Sequence, residues 1–241
     1  MHRNTVEFEV TGRYALFSDP IMRVGGEKCT LQIPTYEALK GILSSVYWKQ
    51  TLIWVIDELR VMNRIQTELK GMRTIKMPAG NDLAYYTYLK DCRYQVRAHF
   101  VWNENRPELE SDRNEHKHHN IAKRMIERGG RRDIFLGTRE CQGYVEPCVF
   151  GEGAGAYDTT PELAFGLMYH GITYADESYS AETKGKMTVR LWQPVMRSGI
   201  IEFLAPEKCS ITRDAGSMNI KPFGFNLKNF NGAAEFSEEV Q

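Results

Sequence analysis

Apolar and polar residues alternate at the start of the chain in the manner of a β-strand. In "VEFEV" the apolar residues Val6, Phe8 and Val10 are separated by glutamates. A period of two places such residues on one face of a strand. Gly12 interrupts the pattern, so the first predicted element is a strand that begins at about Val6.

The segment that follows, "SDPIMRVGGEKCTLQ", is interrupted by Pro and Gly and predicts a loop. Gly25 and Gly26 lie between Arg23 and Lys28. A glycine backbone can come close to a phosphate while cations neutralise it. An ordinary surface loop fits the same pattern, and the residues alone leave both interpretations open.

Apolar residues three or four positions apart predict a helix in "PTYEALKGILSSVYWKQ", residues 34–50. Tyr36, Leu39, Leu43 and Tyr47 share one face of this helix, and Pro34 suits its first position. A second helix is predicted in "SDRNEHKHHNIAKRMIERGG", residues 111–130. Its N-cap is expected at Ser111 or Asp112 and its end at the glycine pair 129–130.

Long runs of β-branched and aromatic residues predict the other elements of this region. "TLIWVIDELRVMNRIQTEL" and "LAYYTYLKDCRYQVRAHFVW" are expected to be strands joined by the loop "GMRTIKMPAGND", and "RDIFLGTRECQGYVEPCVF" to be a further strand. The order β-α-β-β-α-β is that of the ferredoxin-like fold, which RNA-recognition modules also use. The predicted class is therefore α+β, with a ferredoxin-like domain over residues 1–150.

Residues 151–241 are predicted to form a smaller domain. "GEGAGAYDTT", residues 151–160, has the composition of a linker. The segments after it predict a small antiparallel β-sheet without a long helix, and its last two strands are expected to turn near Ser198 and Gly199. The tail after about Lys221 is expected to be a loop.

Composition narrows the class of protein. The 31 Lys and Arg equal the 31 Asp and Glu, which argues against a surface that binds polyanions everywhere but not against a local basic patch. No apolar run reaches the ~20 residues of a membrane span, and the N-terminus lacks the apolar core of a secretory signal. Five cysteines without a CxxC pair predict reduced thiols in the cytoplasm and neither a disulfide framework nor a zinc site.

The second predicted helix concentrates cations and imidazoles. Lys117 and His118 are expected in its first turns, where unpaired amides and the helix dipole attract phosphate. RNA cleavage through its own 2′-hydroxyl needs a base, an acid and positive charge near the phosphorane. Imidazole can take either proton role. A solvated helix face is the open alternative, and a metal site at His116, His118 and His119 is disfavoured because their spacing does not place them on one side of a helix.

Tyr47 is the second candidate for proton transfer. A phenol with a pKa near 10 is a poor base, but the adjacent Lys49 is expected to lower that pKa. The alternative is a tyrosine that packs in the core at the end of a helix. Composition and spacing alone do not decide between the two.

Basic residues near glycines are the candidates for RNA binding. Arginines beside glycines suit a loop that follows a nucleic-acid backbone, although an ordinary charged turn has the same composition. The expected RNA-binding residues are Arg23, Lys28, Lys49, Arg113, Arg131, Arg132, Gly137 and Arg139.

Several motifs occur together and in order: "GRYALFSDP", "IPTYEALKGILSSVYWK", "IDELRVMNRIQTE", "SDRNEHKH", "GGRRDIFLGTREC" and "LWQPVM". From about residue 4 to residue 215 the chain resembles the type I-C (Dvulg-subtype) CRISPR-associated endoribonuclease, variant d of the Cas-five group in the RAMP superfamily. The family's catalytic Tyr, Lys and His fall on Tyr47, Lys117 and His118. The chain departs from the family at Gln50, where a proline is common, and this is expected to affect the end of the first helix.

The resemblance implies a metal-independent enzyme without a cofactor. It would cut precursor CRISPR RNA within the repeat, at the 3′ base of its stem-loop, and leave a 2′,3′-cyclic phosphate. It would then hold the 5′ handle of the mature RNA beside the other subunits of the type I-C surveillance complex. The alternative is a non-catalytic scaffold that binds the handle, and contact with duplex DNA in the complex is a further expectation.

Overall fold

The computed structural model of the protein describes residues 2–24, 26–77, 80–180 and 183–220. The predicted approach of a phosphate at Gly25 and the predicted loop after about Lys221 lie outside these residues. All five cysteines are free. Within the described ranges, no helix is both long and apolar enough to cross a membrane.

The elements follow the chain in an order that contains the predicted one. They are β1 (Val6–Ala15), α1 (Pro20–Val24), β2 (Lys28–Cys29), α2 (Tyr36–Val46), β3 (Leu52–Val61), β4 (Thr67–Ile75), β5 (Asn81–Trp102), α3 (Glu115–Glu127), β6 (Ile134–Phe135), β7 (Gln142–Pro147), β8 (Leu163–Ala164), β9 (Met168–Thr173), β10 (Lys186–Trp192), β11 (Val195–Arg197), β12 (Ile200–Glu202) and β13 (Ile211–Ser217). Short 3₁₀ helices occur at Pro107–Asp112, Ala175–Glu177 and Pro206–Lys208.

The centre of the larger sheet has the ferredoxin-like strand order. Its central strands run β7-β1-β5-β3, and each neighbouring pair is antiparallel. The helix α2 connects β1 to β3, and α3 connects β5 to β7. The predicted βαββαβ arrangement is therefore confirmed. Alternate residues of these strands, such as Phe8, Val10 and Val96, are fully buried against the helices.

Both predicted helices form, but they begin later than expected. Thr35 caps α2, since its hydroxyl accepts a hydrogen bond from the Ala38 amide at 3.1 Å. Pro34 therefore lies outside the helix. The prediction of an N-cap at Ser111 or Asp112 was wrong, because Pro107 begins a 3₁₀ helix that includes both residues.

Asn114 is the N-cap of α3. Its side chain accepts a hydrogen bond from the Lys117 amide at 3.0 Å. The predicted end of this helix is confirmed, since Gly129 and Gly130 have φ values of 77° and 106°. Their amides donate to Ile126 and Met125 carbonyls, which is the usual way for a helix to end in a left-handed glycine.

The predicted loop "GMRTIKMPAGND" was wrong over much of its length. The strand β4 continues to Ile75, and β5 begins at Asn81. Paired residues run from Thr67 opposite Leu89 to Ile75 opposite Asn81. β4 and residues 81–91 of β5 therefore form an extended antiparallel pair, here called the hairpin arm, which continues β5 away from its pairing with β1.

The segment predicted as one strand at 132–150 contains two. Between β6 and β7 the chain makes a tight loop in which Gly137 has a φ of +94°. A Cβ atom on Gly137 would lie 2.0 Å from the Leu16 carbonyl oxygen. Glycine is thus needed at this position by packing and backbone conformation alone.

The C-terminal strands only partly separate from the first sheet. β13, β10 and β9 form the predicted small antiparallel sheet. β11 and β12 turn at Ser198 and Gly199, as predicted, with φ values of 47° and 80°. However, β12 pairs with β3 and so extends the larger sheet. The division into domains near residue 150 stays a prediction, since strands from both sides of it share one sheet.

Candidate active site

Tyr47 lies at the end of α2, where the chain leaves the helix. Its φ of −152° and ψ of 125° are those of an extended residue. The Trp54 indole N–H donates to the Tyr47 carbonyl at 2.7 Å, which ties this turn to the core of the sheet. The tyrosine is only 5% exposed. Helix α2 and β3 together thus fix the position of the phenol.

His118 lies in the first turn of α3 and is fully buried. Its Nδ1 is 2.7 Å from the Tyr47 hydroxyl, and its Nε2 is 2.8 Å from the Asp112 carbonyl oxygen. A carbonyl can only accept, so Nε2 carries the proton of the neutral ring and Nδ1 accepts from Tyr47. The rings of Phe100 and Trp102 stand edge-on to the imidazole. The structure thus brings the predicted residues Tyr47 and His118 into direct contact.

Asp112 links the third residue of the predicted trio to the other two. One carboxylate oxygen accepts from Lys117 Nζ at 2.5 Å, and the other accepts from the Thr51 hydroxyl at 2.9 Å and lies 3.5 Å from His118 Nε2. The lysine side chain is about half exposed. Sequence analysis considered Asp112 only as a helix cap. A carboxylate five residues before a candidate lysine was the available signal for its role.

The electrostatics of Tyr47 differ from the expectation. Burial, followed by the negative charge of Asp112, raises the pKa of Tyr47 to about 12, although Arg131 acts to lower it. The predicted lowering by Lys49 was therefore wrong. The pKa of Asp112 is lowered, chiefly by the hydrogen bond from Lys117. At neutral pH the site thus holds a protonated phenol and a charged carboxylate.

The neighbouring histidines lie apart from this hydrogen-bonded group. His119 is directed to the residue just before β1, where its Nε2 is 2.9 Å from the Thr5 carbonyl oxygen. His116 is exposed. The solvated helix face considered for "HKHH" therefore describes His116 and not His118. Within the described ranges, no group of three or more His, Cys, Asp and Glu side chains could hold a metal ion.

Four of the predicted RNA-binding cations lie near the candidate active site. Arg131 and Arg132 are exposed and line a groove of about 370 Å³, together with Trp48, which is 44% exposed. Lys49 is exposed in the turn after Tyr47. Arg113 already forms hydrogen bonds within the protein. Its guanidinium donates to the Glu104 carboxylate at 3.0 Å and to the Asn103 carbonyl at 3.2 Å.

The other predicted RNA-binding residues lie in a second region. Arg23 is exposed in the last turn of α1, and Lys28 is exposed in β2. The guanidinium of Arg139 is 5.9 Å from the centre of the Phe135 ring. Gly137 lies in the same tight loop as Arg139.

Comparison with known proteins gives a consistent result. A model of the CRISPR-associated Cas5 family, Cas_Cas5d, matches residues 5–204. The CRISPR pre-crRNA endoribonuclease Cas5d of Mannheimia succiniciproducens is 29% identical over 149 residues, which are 52% of this chain. The chain spans 64% of that relative's length.

Two solved structures share the fold. One is the crystal structure of a CRISPR-associated protein, with 35% identity and a TM-score of 0.71. The other is a functionally uncharacterized protein from Streptococcus mutans, with 36% identity and a TM-score of 0.71. Each comparison covers 87% of this chain and 96% of the other. The family model matches residues 5–204, a range that includes both helices of the candidate active site. The chain therefore belongs to the Cas5d family of CRISPR-associated proteins.

Proposed function

We propose that this protein is an endoribonuclease that processes precursor CRISPR RNA. The observation that carries the proposal is the 2.7 Å contact between the Tyr47 hydroxyl and His118 Nδ1, with Lys117 in the same helical turn as the imidazole. These groups supply a proton acceptor and a cation, which cleavage through the 2′-hydroxyl requires. The named activity of the Mannheimia relative supports the same reaction.

The geometry favours a relay in which Tyr47 is the group that touches RNA. His118 has no exposed surface, so any proton that it exchanges with RNA passes through the phenol. Tyr47 takes the proton of the 2′-hydroxyl as it gives its own proton to His118 Nδ1. The imidazolium that forms is stabilised by the Asp112 carbonyl and carboxylate.

Lys117 completes the reaction at the phosphate. The 2′-oxygen forms a bond to phosphorus, the bond to the 5′-oxygen breaks, and that oxygen is protonated from water. The hydroxide left by this water takes the proton held on His118 back through Tyr47, which restores the neutral imidazole. Lys117 is half exposed and stabilises the added negative charge of the phosphorane. Asp112 orients the ammonium group and is a positioning residue, because it acts through Lys117 and His118.

The finer assignments belong to the same proposal. The substrate is the repeat stem-loop, cut at the 3′ base of the stem, and the protein keeps the 5′ handle as a subunit of a type I-C complex, with duplex DNA as a further partner.

A non-catalytic scaffold that binds the handle is the second candidate. The burial of Tyr47 and His118 favours it, since Tyr47 packs in the hydrophobic core and His118 is fully enclosed.

Cleavage is expected to continue in excess EDTA and to leave a 2′,3′-cyclic phosphate, because the nucleophile is the RNA's own hydroxyl. The measurement is cleavage of a repeat RNA by purified protein with chelator, followed by analysis of the product ends. An activity that is lost with EDTA and restored by Mg²⁺ or Mn²⁺ would contradict the proposed chemistry. The absence of cleavage under both conditions would favour the scaffold.

Arg131→Ala and Arg132→Ala are each expected to weaken binding of the repeat RNA. The slope of log affinity against log salt should fall by about 0.7–0.9 for each phosphate that the variant no longer neutralises. Arg139→Ala should act in the same way from the second region. Arg113→Ala is an informative comparison, because its guanidinium is already paired with Glu104 and its removal should change the slope least. An unchanged slope in all of the first three variants would show that they do not bind phosphates.

A further inference from the structure

The base of the hairpin arm gathers tyrosines and lysines on one face. Tyr86 in β5 is the direct partner of Lys28 in β2 and of Lys70 in β4. Farther along β5, Lys90 is the partner of Tyr14 in β1. Directly paired residues project from the same side of a sheet. These five residues are called the Tyr–Lys platform.

Ammonium groups cover the faces of the platform tyrosines. Lys28 Nζ is 4.4 Å from the centre of the Tyr86 ring, and Lys70 Nζ is 3.3 Å from the centre of the Tyr14 ring. Both tyrosines are half-buried. The platform therefore holds aromatic rings and cations together, with an ammonium group over one face of each ring. Aromatic rings beside cations are the combination that proteins use to bind single-stranded nucleic acid.

The lysines of the platform are held only loosely by carboxylates. Glu68 is shared between Lys70 at 3.7 Å and Lys90 at 3.6 Å, and these lysine side chains are 33% and 42% exposed. By contrast, the closest contact of Arg60 to Asp158 is 2.9 Å. Long, exposed ion pairs contribute little to stability. Glu68 also accepts a hydrogen bond from the Tyr14 hydroxyl at 3.1 Å, so a phosphate group that replaces Glu68 binds the two lysines and this hydroxyl.

The platform continues a surface that sequence analysis assigned to RNA. The hydroxyl of Tyr88, which lies between Tyr86 and Lys90 in β5, donates to the Glu140 carboxylate at 3.3 Å. Glu140 follows Arg139 in the tight loop that contains Gly137. The tight loop that contains Gly137, Arg139 and Glu140 is thus adjacent to the platform. This surface is distinct from the groove lined by Arg131 and Arg132.

We propose that the Tyr–Lys platform binds single-stranded RNA. Bases stack on Tyr86 and Tyr14 as the lysines move from the rings to neighbouring phosphates. Paired strands hide the faces of their bases, so a duplex gains only the phosphate contacts. The identification of the strand as the 5′ handle rests on the proposed function. On the opposite face of the arm, Leu69 and Leu83 are exposed, and a protein partner would need apolar side chains of this kind. The platform consists of tyrosines and lysines and has no such apolar side chains.

The test compares two adjacent tyrosines. Tyr86→Leu removes a platform ring, whereas Tyr85→Leu removes a ring that is 55% exposed on the other face of the same strand. The probes are an oligouridylate of about 12 nucleotides, within the site size of single-strand binders, and the same strand annealed to oligoadenylate. Tyr86→Leu is expected to weaken single-strand binding about fivefold or more, with a much smaller effect on the duplex. Tyr85→Leu should match the wild type.

A second variant keeps the proposal testable if Tyr86→Leu unfolds. Lys28→Ala changes an exposed side chain and should lower the salt slope for oligouridylate by about 0.7, the value for one phosphate on a single strand. Unchanged affinity in Tyr86→Leu, equal decreases in both tyrosine variants, or an unchanged salt slope in Lys28→Ala would overturn the proposal. The probes contain no repeat and need no cleavage, so this outcome is independent of whether Tyr47 is catalytic.

Discussion

Tyr47→Phe and Lys117→Ala are each expected to slow cleavage of repeat RNA by a factor of about 10² to 10⁴ and to leave its affinity nearly unchanged. Phenylalanine keeps the packing of the Tyr47 ring and removes only the hydroxyl that donates to His118. Lys117 acts on charge that develops in the transition state. A single phosphate contact among several adds little to ground-state binding, so the rate should fall much more than the affinity.

Single-turnover rates at saturating protein measure this difference. Affinities are measured on RNA with a 2′-deoxy nucleotide at the scissile position, which cannot be cleaved. Lys123→Ala is the matched control for Lys117, because both are exposed lysines of α3. Tyr144→Phe is the control for Tyr47, since Tyr144 is 59% exposed. Near-normal cleavage by Tyr47→Phe would show that Tyr47 is a core residue only.

The burial of His118 was predictable from its spacing to the apolar residues that follow it in the helix. The polar composition of "HKHH" obscures this spacing. The buried residues of α3 are His118, Ala122 and Ile126, which are spaced by four and so share one face of the helix. An imidazole on that face belongs to the core side, while Lys117 and His116 face solvent. The trio itself came from family resemblance, because residue type and spacing left a solvated face open.

The hairpin arm was missed for a different reason. Sequence patterns identify a strand when one of its faces is buried, but Leu69, Ile75 and Leu83 are all exposed in the arm. Gly71 and Pro78 also suggest a turn. The pairing of β4 with β5, rather than burial of an apolar face, forms this element. Tertiary pairing of that kind is not encoded in a local pattern.

The link between Tyr47 and Asp112 through His118 could not be derived from sequence either. Tyr47 and His118 are 71 residues apart, and only the packing of α2 and α3 on one face of the sheet brings them to 2.7 Å. The 3₁₀ helix before α3 then places Asp112 beside the imidazole.

The relay makes a prediction about the pair Tyr47 and His118. His118→Gln keeps a polar side chain against Asp112 but cannot accept a proton, and it is expected to slow cleavage by a factor of about 10² to 10⁴. The double variant with Tyr47→Phe should be no slower than the slower single variant, because residues that act as one unit are strongly non-additive. His118→Ala should give the same decrease in rate, together with a lower melting temperature because it leaves a cavity.

A double-mutant cycle on single-turnover rates distinguishes the relay from independent proton roles. If Tyr47 served as base and His118 as acid at separate oxygens of the RNA, the two decreases in rate would multiply in the double variant. The relay predicts a single decrease, since His118 is fully buried and reaches RNA only through the phenol. Multiplicative decreases would therefore require His118 to become exposed when RNA binds, and the resting geometry of the site would not be its reactive one.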